Sequence, residues 1–95
     1  MATLLVDDEK TFDVDKIART FDEGILALQS TTWDILFLDH DLGDPDPNKT
    51  GYGICCWLER HPEHRPQKVV LVTNNGAGRD YMVLALRKMY PEDYR

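Results

Sequence analysis

Two short apolar runs constrain the fold more than any other feature of the chain. Thr3-Leu-Leu-Val6 breaks off into Asp7, Asp8 and Glu9, and Ile35-Leu-Phe-Leu38 breaks off into Asp39, His40 and Asp41. A short apolar run bounded by polar turn residues reads as a buried strand of a parallel sheet. Open α/β sheets bind their ligands just beyond the carboxyl ends of their strands. Folding alone therefore gathers both sets of carboxylates on one sheet edge.

The rest of the chain supplies elements around these two strands. Residues 16–20 read as a short edge strand, with one continuous helix over 15–30 as the alternative. Thr20-x-x-Glu23 has the spacing of a capping box, and Phe21, Ile25 and Leu28 give the helix that follows an apolar stripe. Residues 33–39 form the central strand. The breaker-rich segment 43–50 is a loop placed to wall the site, and Thr50 N-caps a helix over 51–61 that Pro62 ends. Lys68-Val-Val-Leu-Val-Thr73 is a further buried strand, 74–78 a Gly/Asn turn, and 79–89 a last helix. Pro91 stops it and leaves 90–95 as a loose tail. This alternation predicts an α/β domain with four strands, a mainly parallel sheet, right-handed crossovers and about three helices. The chain of 95 residues is long enough for one such domain, 1–95.

A net charge of −6 argues against a broad grip on DNA or RNA, which rests on Lys and Arg. It leaves room for a single RNA end whose charge a metal offsets. No apolar run approaches the length of a membrane span, and no secretory signal pattern opens the chain. The two cysteines, Cys55 and Cys56, are adjacent and poorly suited to pair, so a reducing, cytoplasmic setting is expected.

The chemistry is expected at the acid cluster. Asp7, Asp8, Asp39 and Asp41 together suit Mg²⁺ or Mn²⁺, which takes one or two carboxylates and fills its shell with water and phosphate oxygens. Glu9 is a weaker member. His40, between two acids, suits a proton-transfer role or metal ligation. In the turn 73–79, Asn74 and the start of the last helix offer donors to an anion, and Arg79 offers a bidentate grip on phosphate. His61-Pro-Glu-His64 has a metal-like spacing, but Pro62 breaks the helix that would align the two rings. No Walker A, GxGxxG or nucleophile-elbow pattern is present, and the lone serine, Ser30, sits at a helix end.

These segments resemble a known family. Leu4-Leu-Val-Asp-Asp-Glu9 and Asp34-Ile-Leu-Phe-Leu-Asp39 are similar to the first and third strands of bacterial response-regulator receiver domains. There an acidic pair binds Mg²⁺ and the strand-end aspartate accepts a phosphoryl group; Thr73 matches the hydroxyl residue ending the fourth strand. The closer likeness is to a compact offshoot, the cyclic-phosphate processing receiver family. It is carried by Leu38-Asp-His-Asp-Leu-Gly43, Thr50-Gly-Tyr-Gly53, Trp57-Leu58 and Thr73-Asn-Asn-Gly-Ala-Gly-Arg79. The resemblance implies a flavodoxin-like sheet in the order 2-1-3-4, a role on cyclic phosphate ends of RNA, and an occurrence among small bacterial or phage proteins. The residues and the resemblance together give the expected roles: Asp39 and His40 catalytic, Thr73, Asn74 and Arg79 on phosphate, and Asp7, Asp8, Asp39 and Asp41 on metal.

The chain departs from ordinary receivers in lacking a fifth strand and the lysine it carries. Two-component signalling, with phosphoryl transfer to Asp39, is the weakest of the readings. An interaction module that binds a host or phage protein is the alternative to a cyclic-phosphate enzyme. In the order 2-1-3-4 the apolar strand 68–73 lies at the edge, a liability unless covered. The tail, a second copy of the chain or a protein partner adding a strand is expected to cover it.

Overall fold

The computed structural model describes residues 1–94. Four strands, β1 (Thr3–Val6), β2 (Lys16–Ala18), β3 (Ile35–Leu38) and β4 (Lys68–Leu71), alternate with three helices, α1 (Phe21–Ser30), α2 (Gly51–Arg60) and α3 (Gly76–Met89). The sheet order is β2-β1-β3-β4 and every pairing is parallel, with Leu4 opposite Leu36 and Leu36 opposite Val69. The short strand over Lys16–Ala18 forms, and the continuous helix over 15–30 does not. Thr20, in extended conformation, stops the strand and accepts a hydrogen bond from Glu23 N, which starts α1.

Side chains alternate across a strand. Leu4, Val6, Ala18, Leu36, Leu38 and Val69 share one face, and the core that they build also holds Ala27, Leu28, Ile54, Leu58, Met82 and Leu86 from all three helices. The helices thus form a single layer on one face. Both helical crossovers step the same way across the sheet, so right-handedness puts them on the same side. The step from β1 back to β2 runs the other way and is made by the loop 7–15, without a helix. That loop lays Phe12 edge-on against Phe37, ring centroids 5.7 Å apart. Leu5 is fully buried on this second face, whereas Ile17, Ile35, Phe37 and Val70 are only half-buried. The sequence expectation of a fully buried central strand holds on the helix face alone.

Arg95 lies outside the described residues, so the expected loose tail is described only over 90–94. There Pro91–Asp93 turn back toward β4. The Tyr90 hydroxyl donates to the Pro66 carbonyl at 2.5 Å and the Tyr94 hydroxyl to the Val69 carbonyl. The tail is seated against the edge strand, with a groove between them that Arg79 also lines. No helix among the described residues is long and apolar enough to cross a membrane.

Candidate functional site

Parallel strands β1 and β3 are in register, Val6 opposite Leu38, so the residues that follow them emerge side by side. Asp7, Asp8 and Asp39 each present a carboxylate oxygen, and these three oxygens lie within 4.8 Å of one another. Asp7 and Asp39 are 1% and 7% exposed. Asp7 Oδ1 accepts the Glu9 and Lys10 amides at 2.9 and 3.0 Å, which bends the chain sharply after β1 and fixes that carboxylate. Asp7 Oδ2, also buried, finds no hydrogen-bond donor among the described residues. Asp39 Oδ1 accepts from the His40 amide at 2.8 Å. Gly43 (φ 69°) carries the next loop over Asp8: a methyl there would stand 3.2 Å from Asp8 Oδ2. Gly is the residue for such a left-handed turn. A methyl on Gly51 would overlap the Asp39 carbonyl and stand 2.8 Å from Met82 Cε, so the start of α2 closes directly onto the β3 end.

The sequence reading missed a cation here. Lys10 Nζ lies 3.5 Å from Asp7 Oδ2 and donates to the Val72 carbonyl at 2.9 Å, spanning from the β1 turn to the end of β4. Arg19 Nη1 fastens that turn through the Lys10 carbonyl at 2.5 Å. No local signal marks Lys10, because its partner Val72, just beyond β4, is remote in sequence.

His40 and Asp41 stand apart from the acid triad. Asp41 is not brought into the cluster; its Oδ1 faces His40 Nδ1 at 3.1 Å, and Glu9 contributes its amide rather than its carboxylate. The imidazole lies flat on the first turn of α3, where a methyl on Gly78 would come within 2.5 Å of its Cδ2. Asn75 completes this group. Its Oδ1 accepts from Gly78 N at 2.9 Å and caps α3, while its Nδ2 lies 3.4 Å from both His40 Nδ1 and Asp41 Oδ1. The spacing Asn75-x-x-Gly78 is the signal that would have found it, and it starts α3 at Gly76 rather than at 79. Thr73 Oγ1 accepts from the Asn75 amide at 3.0 Å, and Asn74 is exposed at the tip of the turn. Arg79 lines the groove at the β4 edge, away from the triad. His61 and His64 stack on Trp57, ring centroids 4.3 and 5.5 Å away.

The arrangement offers buried carboxylates for a divalent ion and, beside them, an imidazole oriented by a carboxylate. One family model, described as "Cyclic-phosphate processing Receiver domain", matches residues 2–88. Comparison with curated proteins and with solved structures returned no match.

Proposed function

The chain belongs to the cyclic-phosphate processing Receiver domain family, and on that premise we propose that it hydrolyses a cyclic phosphate at an RNA end with a divalent metal. The observation that carries this reading is Asp7 Oδ2, a buried oxygen that has no hydrogen-bond donor among the described residues and only the Lys10 ammonium 3.5 Å away, and that shares a 4.8 Å cluster with Asp8 and Asp39. A buried unsatisfied carboxylate oxygen is costly unless a ligand satisfies it. The residues present fit Mg²⁺ or Mn²⁺, with Asp7, Asp8 and Asp39 as the protein's share of the ligands.

When bound, such an ion supplies positive charge against the phosphate oxygens. The chain does the rest. The backbone amides on Asp7 Oδ1 hold that carboxylate in place before any ligand arrives. Thr73 and Asn74, at the end of the neighbouring strand, bind a non-bridging phosphate oxygen. Attack by water on phosphorus breaks one bond to the ribose, and the departing ribose oxygen needs a proton. His40 takes the proton that the attacking water loses and passes it to that ribose oxygen through Nε2, while Asp41 on Nδ1 steadies the ring.

The test is an NMR titration with Mg²⁺ and Mn²⁺, with and without a 2′,3′-cyclic nucleotide, together with the Asp39→Asn variant. Metal-dependent shifts around Asp8 and Asp39 that move again with the nucleotide are expected, and Asp39→Asn should lose at least a hundredfold in turnover while remaining folded. Turnover that survives in Asp39→Asn overturns the reading. A second reading, a module that binds a host or phage protein, is favoured by the half-buried Ile17, Ile35, Phe37 and Val70 on the sheet face without helices. Asp39→Asn would leave that binding intact.

A further inference from the structure

A groove of about 420 Å³ runs beside α2, outside the acid triad. One wall is a stripe of α2, Tyr52, Cys56 and Arg60, spaced four residues apart and so on one helix face. The other wall is Phe21 at the start of α1 and the loop through Asn48 and Lys49. The groove adjoins the proposed phosphate site: Tyr52 follows Gly51, whose amide donates to the His40 carbonyl at 2.8 Å and whose Cα faces the Asp39 carbonyl.

We propose that this groove holds the nucleoside immediately upstream of a terminal cyclic phosphate, so that the ligand is a single-stranded oligonucleotide end rather than a cyclic mononucleotide. The proposal rests on the phosphate-site reading above and gives that site its substrate class.

Three features select a nucleoside. Two aromatic rings, Phe21 and Tyr52, face a space of ligand size, and aromatic side chains are the usual platforms for unstacked bases. Tyr52 is 40% exposed yet braced by Tyr81, ring centroids 6.0 Å apart, so its ring is placed without being covered. Of the three charged side chains that line the groove, Asp46, Lys49 and Arg60, two are cationic in a chain of net charge −6. Lys49 is paired with Asp22 at 3.0 Å, but Arg60 has no carboxylate within ion-pair distance among the described residues. Its guanidinium is available to the phosphodiester that joins the upstream nucleoside to the terminal one. An apolar partner would not use that charge, and a free phosphate would not use the two rings.

The test compares two probes in saturating Mg²⁺ by calorimetry: adenosine 2′,3′-cyclic phosphate, and the ApA dinucleotide ending in a 2′,3′-cyclic phosphate. The dinucleotide should bind about tenfold tighter, the gain expected for one stacked base. That ratio should fall towards one in both Tyr52→Ala and Arg60→Ala, whose side chains lie outside the core. Equal affinity for the two probes, or a tenfold ratio that survives both substitutions, overturns the groove assignment while leaving the phosphate site standing. Failure of both probes to bind overturns the phosphate-site reading and the groove with it.

Discussion

Lys10 shows how much one side chain can set at this site. Its ammonium is the nearest positive charge to the buried Asp7 carboxylate, 3.5 Å from Oδ2. A divalent ion at the triad must share or displace that contact. Replacing Lys10 with Met leaves Asp7 with less compensation in the metal-free protein, so the thermal midpoint without metal should fall by about 4–8 °C. The rise in midpoint on adding Mg²⁺ should become larger than in the parent. Thermal unfolding scans with and without Mg²⁺ decide this, and an unchanged Mg²⁺ response would mean that Lys10 does not compete for the site. Asp7, Asp8 and Asp39 were legible in the sequence because strands must end where their apolar runs end. Lys10 was not, because its significance depends on the pairing of β4 with β3. Asp41 reads from the sequence as a further ligand at the same strand end; the chain turns its carboxylate toward His40 and Asn75.

At the scale of elements, the sequence marks the strands more sharply than the helix starts. Apolar runs and breakers located all four strands, and the Thr20 and Thr50 caps located α1 and α2. Gly76-Ala-Gly78 reads as a turn by composition, yet Asn75 caps it and it forms the first turn of α3. The tail was legible only as one of three candidates to cover the β4 edge: its hold is made by two tyrosine hydroxyls on backbone carbonyls of Pro66 and Val69, which no local pattern announces. Burial pushes both phenols up to about 12. An unfolded tyrosine ionises near pH 10. The folded-state pKa is raised, so this stability is complete below pH 10 and is lost as pH climbs towards 12. The thermal midpoint should therefore drop over that window, and Tyr94→Phe should shallow the drop. A flat profile from pH 10 to 12 would show that the tail does not hold β4.

For the whole molecule, parallel strands have a cost as well as a use. They deliver Asp7, Asp8, Asp39 and Asp41 to one edge of a chain that already carries a net charge of −6. Without a divalent ion this edge repels itself, so raising NaCl from 0.05 to 0.5 M, which shortens the Debye length to roughly 4 Å, should raise the metal-free midpoint. Millimolar Mg²⁺ should do the same at low salt; a midpoint that falls with NaCl would mean that attractive pairs such as Lys49–Asp22 outweigh the repulsion. The loop from Gly43 to Thr50 has a different relation to the whole. Its ends are pinned, by buried Leu42 and the turn over Asp8 on one side and by the Thr50 cap on the other, while most of the residues between are exposed. Lengthening a pinned surface loop costs little free energy. Over generations its span and composition can drift without disturbing the carboxylates or the core, so this stretch is where selection can retune the shape of the groove while the acidic edge stays as it is.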